Sequence, residues 1–191
     1  MLGTTLFADD TSLASSFTAF TLDGAASVAD INAELNKVPR WLCVNKLSLN
    51  VSKTKYMIFE NRLNPNPVPK DAFKINGVKI KLCTEFDFLG IFIDNKLTWK
   101  SHTKKLLGKI TRTVGVMKKI KRYAPFSVMK TLYQSLINSR LSYGVRCWGY
   151  ACSQLVPVQK KAIRVMANRK MNSHTSPLFK DYNILKLPDL L

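Results

Sequence analysis

The sequence predicts an α+β chain in two parts, with short strands around a packed helix up to Leu97 and helices from Thr98 onward. Three observations carry that expectation. Up to Asp94 the apolar residues come in short runs broken by Asp-Gly, Asn-Gly and Pro-rich segments, the pattern of strands and turns. From Thr98 they recur every three or four positions, the period of helices with one buried face. The charge changes at the same place. Residues 1–94 hold ten Lys/Arg and ten Asp/Glu, whereas residues 95–191 hold twenty basic residues against Asp181 and Asp189, so the whole formal net charge of +18 lies in the second part.

The elements follow in order. Thr4 to Ser12 reads as two short strands around the adjacent carboxylates Asp9 and Asp10. After Asp23-Gly24, Val28, Ile31, Leu35, Val38 and Leu42 mark one helical face, which Pro39 should kink or end early because its ring clashes with the preceding turn. A loop then leads to a strand near Lys55–Phe59. "NPNPVPK" (64–70) fits neither helix nor central strand. Asn76-Gly77 between alternating residues signals a two-residue hairpin, and "FDFLGIFID" reads as a further strand ending in an Asp94-Asn95-Lys96 turn. The next segment, Thr98 to Tyr123, is a basic amphipathic helix. Leu106, Ile110, Val114, Met117 and Ile120 form its apolar face, with Lys104, Lys105, Lys109, Arg112, Lys118 and Lys119 on the others. Ala124-Pro125 end it, and further helices are expected over Ser127–Leu141 and Ser153–Asn168.

At 191 residues and 46% hydrophobic, the chain can bury one good core or two small ones. No apolar run reaches the length of a membrane span, and the start lacks a basic-then-apolar leader pattern, so an intracellular protein without a membrane partner is expected. Cys43, Cys83, Cys147 and Cys152 are too sparse for a disulfide framework and read as mostly buried thiols. Trp41 and Trp99 read as core aromatics. Cys147 and Cys152, with His174 beyond, have spacings that suit a closed zinc site poorly. A field as one-sided as +18 favours a polyanion as partner, with nucleic acid ahead of a membrane surface or a merely solvated face.

Two adjacent carboxylates in a hairpin turn can offer oxygens to Mg²⁺, a hard cation that takes one or two carboxylates plus substrate phosphates. The dipeptide alone is more often a solvated turn. Its company decides: "FADDT", then the helix ending in Trp41, then "NKLSLNVSKTKYMIF", then "FDFLGIFIDNKLTWKSH" resembles, in order and spacing, the palm and thumb of reverse transcriptases from non-LTR (LINE-type) retrotransposons. "LSYGVRCWGYA" and "PVQKKAIRVMANR" are similar to the region after the thumb in jockey-like elements. Group II intron and telomerase enzymes share the Asp-Asp box and are disfavoured by these later segments.

The resemblance implies a partial polymerase palm over residues 1–97, antiparallel β with a packed helix, and a basic helical thumb and post-thumb region over 98–191. It implies that Asp9 is a Mg²⁺ ligand and Asp10 a second carboxylate there, in two-metal nucleotidyl transfer. Lys53, in "LNVSKT", would be a general acid toward the departing pyrophosphate, with a solvated turn lysine as the plain alternative. Phe88, Leu89 and Gly90 would form the primer grip, Gly90 because it lets another backbone approach closely. Lys104, Lys105, Lys109, Arg112, Lys118 and Lys119 would meet phosphates of RNA template, DNA primer or RNA–DNA duplex. In that family the fingers, an earlier catalytic aspartate and the nucleotide pocket precede the Asp-Asp box. The expectation is therefore a carboxyl-terminal portion that takes deoxynucleotide only together with the missing amino-terminal part, in the nucleus for target-site copying or in the cytoplasm. A catalytically inert nucleic-acid-binding remnant and an accessory piece that completes a separate amino-terminal half are the alternatives.

Overall fold

A computed structural model describes residues 3–7, 10–14, 24–59 and 72–191. The chain divides into two compact units, Met1–Glu85 and Phe86–Leu191.

In the first unit, β1 (Gly3–Phe7) and β2 (Asp10–Ala14) pair antiparallel from Gly3 opposite Ala14 to Phe7 opposite Asp10. Helix α1 (Gly24–Leu35) ends before Pro39, and α2 (Val38–Val44) begins with Pro39 in its first turn, where a missing N–H costs nothing. Pro39 thus splits the expected helix. β3 (Lys55–Tyr56) pairs in parallel with β6 (Lys81–Leu82), and β4 (Lys74–Ile75) pairs antiparallel with β5 (Val78–Lys79). Between β4 and β5, Asn76 and Gly77 both take positive φ, 50° and 77°, as the hairpin signal requires. Phe73, Ile75 and Ile80 form a small core against Val28, Ile31 and Leu35 of α1, with Tyr56 edge-on to Phe73 at 4.8 Å. Two asparagines fix α1 to this hairpin. Asn32 donates to Ala72 O and accepts from Lys74 N, and Asn36 accepts from Asn76 N. The strands among the described residues form separate two-stranded ladders, one of them parallel, where antiparallel β was expected.

The second unit has the larger core. The segment read as one strand is a hairpin, β7 (Glu85–Phe88) and β8 (Ile91–Asp94), turning at Leu89-Gly90. Helix α3 (Lys100–Ile120) follows and buries Leu106, Ile110, Val114 and Met117. A continuous helical run then covers 126–142: α4 (Phe126–Tyr133), a π segment (Gln134–Asn138) and α5 (Ser139–Ser142). After α6 (Val145–Trp148) and a 3-10 segment (Gly149–Gln154) comes α7 (Val156–Met166), with α8 (Ser176–Asp181) and a 3-10 turn (Leu187–Leu190) closing the chain. Tyr133, Ile137, Leu141, Trp148, Leu155, Ile163 and Leu187 are fully buried at its centre.

Two sequence expectations need correction. Trp41 is 41% exposed, because the inward residue of the short α2 is Leu42; Trp99, by contrast, packs partly buried against the core, as expected of it. The cysteines are not buried: Cys43 and Cys147 are exposed and Cys83 and Cys152 half-buried, all free thiols, since α2 and α6 turn Leu42, Val145 and Trp148 inward instead. No helix among the described residues is long and apolar enough to cross a membrane.

Candidate nucleic-acid interface

Asp10 opens β2 opposite Phe7; Asp9 lies outside the described residues. Lys53 sits in a turn built by its own motif. Asn50 Oδ1 accepts from Ser52 Oγ at 2.6 Å and from Lys53 N at 3.2 Å, while Asn50 O accepts from Thr54 N and Thr54 Oγ1 at 3.1 and 2.9 Å. Asn and Thr of "LNVSKT" are therefore the scaffold of an Asx-type turn, and Lys53 is the exposed residue it presents. Among the described residues no three His, Cys, Asp or Glu side chains gather in a way that could hold a metal ion.

In the second unit, Leu89 and Gly90 have φ of 50° and 83°, so this is a primed two-residue turn whose second position suits glycine. A Cβ on Gly90 would meet only Tyr143 Cε1 at 3.9 Å, so backbone conformation, rather than close approach within this chain, calls for glycine here. Asp87 Oδ1 accepts from Gly90 N at 2.9 Å, and Tyr143 Oη donates to Leu89 O at 2.6 Å. The neighbouring Gly144 is held at φ 61°, and a Cβ there would lie 2.4 Å from Ile91 Cδ1. Trp148 Nε1 donates to Tyr143 O at 2.9 Å from a fully buried ring. These contacts give "LSYGVRCW" a physical job: it docks the Phe88–Gly90 turn onto the helices.

Asp94 sets the start of α3. Its carboxylate accepts from the backbone N–H groups of Lys96, Thr98 and Trp99 and from Thr98 Oγ1, at 2.9 to 3.2 Å. Burial pushes its pKa up, but the bonds from Thr98 and Trp99 and then Lys96 prevail and hold it below the ordinary Asp value. Those bonds also hold Leu97 and Trp99 in the left-handed region, at φ 51° and 60°.

Lys104, Lys105, Lys109, Arg112, Lys118 and Lys119 of α3 are all exposed, yet they do not share one face. Successive helical residues diverge by about 100°, so Lys105, Lys109 and Arg112 form one flank while Lys104 and Lys118 lie on another. The first flank borders a cavity of about 290 Å³ lined by Gly90, Phe92, His102, Lys105, Lys109 and Arg140, among others. Lys105 Nζ stands 3.2 Å above the Phe92 ring, a cation–π contact, and Arg140 Nη1 donates to Thr113 Oγ1 at 3.1 Å. His102 accepts from Phe92 N at Nδ1 (3.3 Å), which leaves the ring proton on Nε2, a buried atom without a partner among the described residues. Burial, then the Lys109 charge, depresses the His102 pKa; Asp87 works the other way and Lys105 adds to the lowering. The chain fold thus brings Gly90, Lys105 and Lys109 to one cavity, along with His102, Arg140 and Tyr143, which sequence reasoning missed. No local periodicity marks those three. The one sequence signal was the likeness of "LSYG" to a post-thumb segment.

No protein-family model matches the chain, and no solved structure matches it. Curated relatives do. The Retrovirus-related Pol polyprotein from type-1 retrotransposable element R1 of Bradysia coprophila is 27% identical over 103 residues, covering 52% of this chain and 10% of that protein. The RNA-directed DNA polymerase from mobile element jockey of Drosophila melanogaster is 23% identical over 175 residues, covering 87% of this chain and 18% of its own length. The chain therefore spans less than a fifth of either relative's length. It is related, at a distance, to the RNA-directed DNA polymerases of non-LTR retrotransposons.

Proposed function

We propose that the chain is palm and thumb sequence of a non-LTR RNA-directed DNA polymerase, and that its own biochemical act is sequence-independent binding of an RNA–DNA duplex through α3. The observation that carries this is an amphipathic helix with its apolar face buried and Lys105, Lys109 and Arg112 aligned on one exposed flank beside the Leu89–Gly90 turn. Phosphates are what such a flank recognises, and they position a duplex without reading its sequence. In the whole polymerase Asp9 and Asp10 would hold Mg²⁺, which supplies Lewis acidity for nucleotidyl transfer. Lys53, exposed on its Asx turn, would donate a proton to pyrophosphate, and Phe88–Gly90 would seat the primer strand.

The test is duplex binding by anisotropy across a salt series. About five phosphate contacts give a slope near −4 to −5 in log K against log[salt]. Lys105→Gln, Lys109→Gln and Arg112→Gln together should reduce it by about 2 to 3, and Lys104→Gln with Lys118→Gln by less. A flat salt dependence, or equal losses from both flanks, would return the charge to a solvated surface. Primer extension on an RNA template with Mg²⁺ tests the other half. The 191-residue polypeptide is expected to bind duplex without extending a primer. Extension that disappears in Asp9→Ala would sink that expectation and favour a self-sufficient enzyme.

A further inference from the structure

The cavity beside α3 is more than a continuation of the helix flank. Lys105 and Lys109 from α3 and Arg140 from α5 converge on it, and none has a carboxylate within ion-pair distance among the described residues. Two of the three are pre-positioned: Lys105 by the Phe92 ring, Arg140 by Thr113 Oγ1. Arg140 still has N–H groups to offer after that bond. His102 also lines the cavity, and its Nε2 is a buried donor without an acceptor among the described residues. The nearby acid, Asp87, has one oxygen engaged by Gly90 N. Three cations around one cavity, two of them held in place and none in an ion pair among the described residues, match a compact dianion better than the singly charged diester of a nucleic-acid backbone.

We propose that this cavity binds a phosphate monoester, either free or at the end of a polynucleotide. The inference deepens the nucleic-acid reading by naming a second, more selective site on the same unit, and it rests on Arg140, which the helix-flank reading does not use. Binding converts the unpaired charges into charge-assisted hydrogen bonds, with Arg140 forking onto two phosphate oxygens and the lysines on the remaining ones.

The experiment titrates the full ¹⁵N-labelled chain with inorganic phosphate at constant ionic strength, following the Gly90 amide and the His102 ring, with chloride as control. Saturable shifts at both probes are expected. Arg140→Gln and Lys109→Gln should each weaken binding about tenfold or more, as loss of a charge-assisted contact does. Lys104→Gln, on the other flank, should leave it within about twofold of the parent, far from that cost. Lys109 is exposed, so its variant reports on binding even if Arg140→Gln unfolds the chain. A second titration compares a 5′-phosphorylated oligonucleotide with its 5′-hydroxyl twin. Preference for the phosphorylated one assigns the site to polynucleotide ends, and equal binding with phosphate still saturable assigns it to a free phosphate. Shifts no greater than with chloride, a Lys109→Gln chain that binds like the parent, or equal weakening by Lys104→Gln would overturn the proposal. In those cases an unchanged salt slope for duplex would leave the broader reading standing.

Discussion

At the residue scale, Asp94 shows how one carboxylate replaces several ordinary devices. Helix α3 has no acidic residue in its first turn and no side-chain cap from Trp99, and two non-glycine residues before it take left-handed φ. Asp94 accepts three backbone N–H bonds and one hydroxyl bond across that strained corner. Replacing it by Ala should cost about 1–2 kcal/mol, the range of a lost helix cap. The pH sign follows from its depressed pKa. The contribution is present above the ordinary Asp value of 3.8 and disappears as pH falls through the lower folded value. Urea melts of parent and Asp94→Asn should therefore differ at pH 7 and converge in acid; a gap that stays constant would mean that Asp94 acts by shape alone. The residue was visible in the sequence as part of a turn, but its reach to Trp99 was not, because nothing local marks a side chain that caps a helix five residues on.

At the element scale, the helical run from 126 to 142 buries Met129, Tyr133, Ile137 and Leu141, a strict spacing of four. An ideal α-helix drifts by about 40° at each such step, so its face would rotate away from the core. The wider turn of the π segment at Gln134–Asn138 absorbs the drift and keeps all four residues inward. Ser and Thr hydroxyls run alongside: Thr131 donates to Ser127 O, Ser135 to Thr131 O, Ser139 to Ser135 O and Ser142 to Asn138 O, back-bonding that eases helix distortion. Sequence periodicity announced a helix here. It did not announce the π turn, because a spacing of four fits either geometry until a core demands one.

The same scale contains a buried polar link between α7 and the chain's end. Gln159 Nε2 donates to Tyr133 Oη and to Leu185 O, and its Oε1 accepts from Leu187 N. One amide thus satisfies three groups, two of them backbone groups of the carboxyl-terminal segment. Burial pushes the Tyr133 hydroxyl up to about 12, against a small opposing effect of the Gln159 bond. Stability that depends on the neutral phenol is complete below pH 10 and lost as pH rises toward 12, and Tyr133→Phe should remove that alkaline step. Gln159→Leu is predicted to be far costlier than Tyr133→Phe, about 3–5 against about 1 kcal/mol, because it strands buried backbone groups as well as the phenol. Thermal melts of the two variants check the order. The reverse order would mean that the 184–190 segment is not held by this residue. A glutamine at a core position of a helix reads as a surface residue in the sequence, so this link was hidden.

At the scale of the molecule, the charge asymmetry and the helical second part were legible from composition and period, since both are sums over many residues and survive local errors. The division of the chain was less so. The sequence changes period at Thr98, and that is where its boundary was placed, but contacts group the hairpin from Phe86 onward with the helices. The reason is specific. Tyr143 Oη bonds Leu89 O, Ile91 packs against Gly144, Phe92 N bonds His102, and Asp94 builds the start of α3. A polypeptide of residues 86–191 should therefore unfold as one cooperative unit, whereas one of 98–191 loses the α3 corner and the packing of Ile91. The expected difference is about 3–5 kcal/mol, which for a domain near 100 residues lowers the melting temperature by more than about 10 °C. Calorimetry on the two truncations decides it. Equal melting temperatures would place the working boundary back at Thr98 and reduce the hairpin to an appendage. If the longer form alone melts cooperatively, the Leu89–Gly90 turn and the α3 flank are held as one surface, as duplex binding through both requires.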